Sequence, residues 1–263
     1  MLNSKVKERK EPPENIAEFT RKRIDRFNRY LNSVVLVVDN THYSKLLIYF
    51  LGMFSIYFAS QLIPNPFNGA MYFITFGLGL TFPLLTLFLV LFKEKASFYF
   101  RKITIKDLKI SFIFAIIEIL NGLVFIYIFN IYGIELSVSK VTSQLTTPIM
   151  LILIPIQILG EQLIIIGTFL VSLKTFNKLI KSRFVLLSLS LIFTGCIFGL
   201  LHLTAYDWNV MQCIFLIGVT SIWQIIIYIY TRNIWVSFLT HVLYDVIVFS
   251  LTFIGNLNVN LIN

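Results

Sequence analysis

Residues 184–204 read FVLLSLSLIFTGCIFGLLHLT, and residues 234–245 read IWVSFLTHVLYD. Both stretches are almost entirely apolar, and the first is long enough to cross a bilayer core about 30 Å thick, which needs about 20 helical residues. Each nevertheless contains a histidine: His202 lies near the end of the first, and His241 precedes Asp245 by four residues in the second. Ionisable groups are costly in hydrocarbon, so these residues are candidates for a functional site.

The whole chain has the composition of a membrane protein. It has 263 residues, of which 57% are hydrophobic and 13% charged, whereas a soluble domain carries about 25% charged residues. Seven apolar segments are long enough to span a membrane, at residues 45–63, 70–92, 110–131, 147–173, 184–204, 210–230 and 234–254. We predict an all-α, polytopic transmembrane helix bundle of seven spans, with eight as the alternative. Pro148 and Pro155 predict a kink or tilt in the fourth span.

The first 43 residues form a basic tail that we expect to be cytosolic or interfacial, and residues 44–263 form the bundle. From Asn15 onward, apolar residues recur every three to five positions with arginines and lysines between them. This pattern is typical of a basic amphipathic helix on an anionic membrane surface, and a solvated cytosolic helix is the alternative. The charged start of the chain also lacks the apolar core of a cleavable signal peptide.

The basic residues predict the orientation. Of the 22 lysines and arginines, 21 lie in the tail and its continuation to Lys45, in the loops 93–109 and 174–183, or at Arg232, and only Lys140 lies on the other side. Because cytosolic loops are enriched in Lys and Arg, we predict a multi-pass protein of the cell membrane with its N-terminus in the cytosol and its C-terminus outside. This bias explains the net charge of +9 without a nucleic-acid partner.

His241 and Asp245 lie four residues apart, so a helix places them on one face, which must point into the bundle. The pair suits a metal ligand with an orienting partner, or a positioned hydrogen-bond donor; a simple tie between helices is the alternative. His202 has the same alternative, and Gly195 and Gly199 beside it leave room for close helix packing. Cys196 and Cys213 lie in apolar runs and indicate no disulfide or metal site.

Glu161 is a lone carboxylate in the fourth span. A desolvated carboxylate suits a general base that acts on water, although a protonated carboxyl group hydrogen-bonded between helices is the alternative, as it is for Glu118. Together with His202, His241 and Asp245, Glu161 would supply the groups that water activation needs. Two histidines and a carboxylate are also a common zinc set with one open position, so zinc held by Glu161, His202 and His241 is a further hypothesis.

The motifs resemble those of the CPBP intramembrane proteases, which include the type II CAAX prenyl endopeptidases and bacteriocin-processing or immunity proteins. The resemblance covers residues 145–254, which would form the protease-like core. Here FGLLH, ending at His202, matches the family's Phe-x-x-x-His motif, and HVLYD matches its His-x-x-x-Asn/Asp motif. The family's first motif, Glu-Glu-x-x-x-Arg, is altered because Gln162 and Ile166 replace its second Glu and its Arg. Loss of both charges is tolerable, whereas loss of one would leave an unpaired buried charge.

The resemblance implies a catalytic set of Glu161, His202, His241 and Asp245, with Phe198 and Gln162 beside it. It implies an intramembrane endopeptidase that acts on a membrane-associated peptide or protein, with membrane lipid as its surroundings. A non-catalytic family member, acting as a bacteriocin immunity or regulatory protein, is the alternative, and the altered first motif favours it. A small transporter or channel with a His/Glu relay is a third hypothesis. The sequence indicates neither the substrate nor the oligomeric state.

Helix length sets one further expectation. At 1.5 Å per residue, His241 lies about 14 Å from Arg232, and His202 lies about 29 Å from Arg183. Straight helices that start at one plane would not bring the two histidines level. We therefore expect the inner boundary of the fifth span to lie nearer Leu191 than Arg183.

Overall fold

The computed structural model describes residues 16–62, 70–140 and 149–262, and every regular element in them is helical. The helices are α1 (Ile16–Asp39), α2 (Tyr43–Leu62), α3 (Ala70–Phe92), α4 (Ala96–Tyr99), α5 (Ile105–Ile131), α6 (Ile149–Asn177), α7 (Arg183–Leu201), α8 (Val219–Thr231) and α9 (Ile234–Ile262). A π-helical segment, Gln212–Gly218, leads directly into α8. The basic residues before Asn15, and Pro148, lie outside the described residues. Pro155 lies within α6, which is one continuous helix.

Seven of the described helical segments are long and apolar enough to cross a membrane. They are Tyr43–Leu62, Ile74–Tyr99, Ile105–Ile131, Leu151–Asn177, Arg183–Leu201, Gln212–Thr231 and Ile234–Leu251. The prediction of an all-α polytopic bundle with seven spans is confirmed, and the boundaries agree to within a few residues at most ends. The chain is therefore a multi-pass membrane protein.

Helix α1 is helical where the sequence predicted a helix, and its apolar side packs on protein. Leu31, Val34 and Val38 are fully buried in the core of the bundle, where α1 packs on α6 and α8. The core offers these side chains a closely packed surface, which periodicity alone cannot distinguish from a lipid surface. The location of α1 at the membrane surface stays a prediction.

The C-terminal end of α1 is held by a lysine. The Nζ atom of Lys174, near the end of α6, donates hydrogen bonds to the carbonyl oxygens of Val38 at 3.1 Å, Asp39 at 2.9 Å and Thr41 at 2.5 Å. These carbonyl groups lack partners inside the helix, and a cation suits the negative end of the helix dipole. Lys174 thus closes the end of the bundle that carries the basic loops.

Helix α6 is the most buried of the seven spans and packs against α2, α3, α7 and α9. Its glycines permit this packing: a Cβ atom on Gly160 would come within 2.7 Å of Thr81 Oγ1 in α3. Glycines act similarly in α7, where a Cβ atom on Gly195 would come within 2.7 Å of the carbonyl oxygen of Gly218. The predicted close approach at Gly195 and Gly199 is confirmed, and it fixes the end of α7 against the π-helical segment.

Helix α7 begins at Arg183, and the depth at which it enters the membrane stays a prediction. The positions of two turns bring the histidines level. The turn between α8 and α9 lies inside the protein, since Asn233 and Ile234 are fully buried. The first turn of α7 is exposed, as the side chain of Phe184 shows. The Asn233 side chain holds this turn in place by accepting a hydrogen bond from the Arg101 amide at 3.2 Å and donating one to its carbonyl oxygen at 3.0 Å. Arg232 therefore does not mark the same depth as Arg183.

Candidate active site

Three spans bring the four predicted site residues together around one carboxylate. Glu161 lies in the middle of α6, His202 caps the C-terminal end of α7, and His241 and Asp245 lie one turn apart on α9. Glu161 Oε2 is 3.8 Å from Nε2 of His202 and 3.9 Å from Nε2 of His241. Nε2 of His241 is also 3.6 Å from Asp245 Oδ2. These distances exceed a direct hydrogen bond, and they are short enough for one water molecule to bridge each pair.

These four site residues line a cavity of about 340 Å³ between the spans. The four side chains are 5–20% exposed, with His241 the most buried at 5% and His202 the most accessible at 20%. Burial of this degree keeps them away from lipid while leaving a surface that a small molecule can reach. The volume is within the range of small-molecule sites, about 300–1,000 Å³.

One oxygen of Glu161 is held by a residue that the sequence analysis missed. Nε2 of Gln157 donates a hydrogen bond of 2.7 Å to Oε1 of Glu161, so the other oxygen is the one that faces the two imidazoles. Gln157 lies one helical turn before Glu161, and this four-residue spacing was the available signal. A side chain held by one oxygen has a defined orientation, which a catalytic base requires.

His202 is oriented by the helix end on which it lies. Its Nδ1 is 2.9 Å from the carbonyl oxygen of Phe198, so Nδ1 must carry the proton and Nε2 faces Glu161. The Phe198 ring packs on the imidazole with ring centres 4.6 Å apart, and it also contacts His241 at 6.3 Å. The Tyr57 hydroxyl donates a hydrogen bond to the carbonyl oxygen of Leu201, which supports the same turn. The sequence analysis missed Tyr57.

Asp245 does not contact Nδ1 of His241, which is the nitrogen that an orienting partner would bind. It faces Nε2, the nitrogen that also faces Glu161, and Nδ1 of His241 has no hydrogen-bond partner among the described residues. The role of an orienting carboxylate, expected from the four-residue spacing, stays a prediction, and in this structure Asp245 does not contact Nδ1. Asp245 belongs instead to the group of polar atoms that face the cavity.

The altered positions of the first motif are structurally accommodated. The fully buried Gln162 donates a hydrogen bond of 2.8 Å to Ser237 Oγ in α9, and Ser237 donates one of 2.5 Å to the carbonyl oxygen of Gln224 in α8. Ile166 is fully buried in the apolar core. Gln162 thus connects three helices next to Glu161. Among the described residues, no charged group is left without a partner at the position where the motif lacks its arginine.

Two further polar residues have separate positions. Glu118 is fully buried in α5 and does not line the cavity. Tyr206, in the turn after α7, lines the cavity beside His202, with ring centres 6.5 Å apart. Burial raises the pKa of the Tyr206 phenol above its ordinary value, so this hydroxyl stays protonated and can donate a hydrogen bond in the cavity.

The zinc hypothesis can be tested against the spacing of the donors. Glu161, His202 and His241 have the right chemistry, but ligands about 2.1 Å from a tetrahedral zinc ion lie about 3.4 Å apart. The observed separations are 3.8 and 3.9 Å, and no group of three His, Cys, Asp or Glu side chains in the described part of the chain is arranged to hold a metal ion. The residues as placed do not fit zinc.

The fold and the site together define a class: a helical membrane protein with a carboxylate and two histidines in a cavity between its spans. Comparison with known families gives a finer result, since the family described as type II CAAX prenyl endopeptidase Rce1-like matches residues 143–247. This region is similar to that family, and the predicted resemblance to the CPBP proteases is confirmed. The chain therefore contains a region similar to intramembrane proteases. No curated protein and no solved structure matched the chain.

Proposed function

We propose that this protein is an intramembrane endopeptidase in which Glu161 activates water for attack on a peptide bond. The observation that carries the proposal is the convergence of Glu161, His202 and His241 at distances suited to bridging water, at the inner wall of a cavity. The Rce1-like family match over the same region supports it. Neither the polar cluster nor the family match alone would identify the reaction.

The side chains supply each proton transfer that hydrolysis requires. Glu161 Oε2 accepts a proton from water as the water oxygen forms a bond to the peptide carbonyl carbon. The Nε2–H of His241 donates a hydrogen bond to the oxyanion that develops on the carbonyl oxygen, and His202 does the same when its imidazole carries protons on both nitrogens. The C–N bond then breaks, and the proton held by Glu161 passes to the leaving amine. Asp245 faces the same nitrogen of His241, so it favours the tautomer of His241 in which Nε2 carries the hydrogen.

The altered first motif favours a second candidate, a non-catalytic family member that acts as a bacteriocin immunity or regulatory protein. Gln162 serves as a structural tie between helices, and Ile166 is part of the core. These residues would serve a binding protein equally well. The two candidates differ in whether Glu161 is needed for chemistry or only for packing.

The decisive experiment measures peptide cleavage by the purified protein in liposomes. A library of synthetic peptides with apolar segments is incubated with wild type, Glu161→Gln and His241→Ala, and fragments are detected by mass spectrometry. We expect Glu161→Gln to reduce the cleavage rate by about 100-fold or more, the range that general bases contribute. Glu118→Gln is the matched control, because it removes a buried carboxylate that does not line the cavity, and we expect a rate within a few-fold of wild type.

Thermal unfolding in detergent accompanies each variant, so that loss of activity is separated from loss of the fold. Wild-type levels of cleavage in Glu161→Gln would refute the assigned base. If wild type cleaves no peptide, and Glu161→Gln retains the cellular phenotype of the wild type, the non-catalytic candidate replaces the protease.

A further inference from the structure

We propose that the active-site cavity opens to the outside of the cell, so that the substrate is a peptide segment on the extracytosolic side of the membrane. This inference rests on the proposed function, since it assigns the substrate class of the same site. It combines the charge asymmetry of the sequence with the position of the cavity in the fold, and neither observation alone contains it.

Residues near one end of the bundle line much of the cavity. Gln61 is one residue from the C-terminal end of α2, and Tyr72 is two residues from the start of α3, which are the two ends that the segment 63–69 connects. Ser139 comes from the segment after α5, and Thr204 comes from the turn after α7. In a bundle of seven alternating spans, these four positions lie at the same end. The lining residues of α6 and α8 come from the half of each helix nearest that end.

The opposite end of the bundle is closed. There the apolar core packs the spans together, with fully buried Val34, Tyr49 and Phe92 among its members. Lys174 ties α1 over this end through three carbonyl groups. Among the described residues, none from the loops 93–104 and 178–182 or from the turn at 232–233 lines the cavity. A peptide approaching from this end would meet packed side chains.

The two ends carry very different charge. Among the described residues, the closed end carries 17 lysines and arginines and the open end carries Lys140, which pairs with Asp207 at 3.1 Å. Because Lys and Arg mark cytosolic loops, the closed end faces the cytosol and the cavity faces outward. The mouth then has no excess positive charge, and its walls are partly apolar, as at Phe76, Ile158 and Leu216.

These features select a class of substrate. A peptide that has already crossed the membrane, or the outer segment of a membrane-anchored protein, can enter the mouth without crossing the core. Its apolar residues can rest against the cavity wall while the scissile bond reaches Glu161. A cytosolic tail would have to pass between α1 and the core, and would meet the closed end.

The test measures the side from which the cavity can be reached, and it needs no substrate. In a chain with Cys196→Ala and Cys213→Ala, Ser221→Cys introduces a thiol at a cavity-lining, fully buried position of α8. Lys181→Cys, between α6 and α7, is the matched control for the opposite end. A charged, membrane-impermeant methanethiosulfonate is applied to right-side-out and inverted membrane vesicles, and the reaction rate of each thiol is measured.

We expect Ser221→Cys to react at least tenfold faster in right-side-out vesicles, and Lys181→Cys at least tenfold faster in inverted ones. Faster reaction of Ser221→Cys in inverted vesicles would overturn the inference, and so would reaction from neither side. Labelling does not depend on cleavage, so the two proposals fail separately. Outward access without peptide cleavage would refute only the protease, and peptide cleavage with inward access would refute only the outward cavity.

Discussion

At the scale of single residues, the site is organised by the two oxygens of Glu161. Gln157 holds one oxygen at 2.7 Å, and the other faces His202 and His241. The carboxylate is therefore presented in one orientation, between the Nε2 atoms of the two histidines. His202 is oriented by a backbone carbonyl group on its far nitrogen, whereas the far nitrogen of His241 has no such partner within the described residues. We infer that the two histidines have different roles.

The role of metal leads to a prediction at this scale. Because the three donors are spaced more widely than a zinc tetrahedron, we expect cleavage to continue in the presence of a chelator such as EDTA, at a rate within about twofold of the untreated protein. The measurement is the cleavage rate before and after chelation and dialysis. Loss of activity that added zinc restores would establish the zinc site in place of the glutamate-only mechanism, and it would show that the side chains move together when the ion binds.

The buried hydrogen bonds beside Glu161 lead to a second prediction. Ser237→Ala leaves the Gln162 amide without its acceptor in a buried position, and an unsatisfied buried group costs about 1–3 kcal/mol. We expect a lower thermal midpoint of unfolding in detergent. Ser55→Ala is the control, because Ser55 is exposed and bonds only to its own helix at Leu51, and such surface changes stay within about 0.5 kcal/mol. Equal midpoints for both variants would show that Gln162 does not tie α6 to α9.

At the scale of helices, the position of His202 depends on contact between α7 and the π-helical segment Gln212–Gly218. Gly195 and Gly199 face this segment without side chains, and backbone carbonyl groups fill the space where their Cβ atoms would lie. Helix α7 therefore ends close against the segment, and His202 follows at its cap. π-Helical segments are rare and occur often near functional sites, which is the case here.

Gly199→Ala tests this contact. A Cβ atom at this position would overlap the carbonyl oxygen of Cys213, and because backbone cannot rotate away, we expect a loss of about 2–3 kcal/mol of stability together with reduced cleavage. Gly79→Ala is the matched control, since a Cβ atom on Gly79 has no atom within 4 Å, and it should be neutral or slightly stabilising. The measurement is the unfolding midpoint of each variant. Similar midpoints would show that α7 can separate from the segment without cost.

At the scale of the whole molecule, charge and packing divide the bundle into two unlike ends. The basic end is closed by α1, Lys174 and the apolar core. The other end holds the cavity and the paired Lys140 and Asp207. This division makes the orientation in the membrane central to the proposed function, because it determines from which compartment a substrate would enter the cavity.

Reporter fusions test the orientation. Alkaline phosphatase, which is active only outside the cytosol, is joined after Glu135 in one truncated chain and after Lys178 in another. The asymmetry of Lys and Arg predicts high activity for the Glu135 fusion and low activity for the Lys178 fusion. We expect at least a tenfold difference in phosphatase activity at equal expression. The reverse order would place the cavity on the cytosolic side.

Much of the architecture could be predicted because each span is defined by its own residues. A run of about 20 apolar residues is sufficient to mark a membrane helix, so seven spans were predicted and found. Glu161, His202, His241 and Asp245 could be selected as candidates for the same reason, since each stands out within an apolar run. Gln157 and Tyr57 were not selected, because an amide or a phenol within an apolar helix is common, and the four-residue spacing of Gln157 from Glu161 was the one local signal.

The sequence by itself determined the spans, and it predicted their direction and the candidate site residues, since hydropathy and charge act on each segment separately. Only the tertiary structure decided how these segments combine. In the tertiary structure, Asp245 faces the same nitrogen of His241 that Glu161 faces. The apolar side of α1 and the turn at Asn233 are buried, and the cavity lies at the end of the bundle that carries little charge. Each of these outcomes depends on the rotation and depth of a helix, which are set by the side chains of its neighbours.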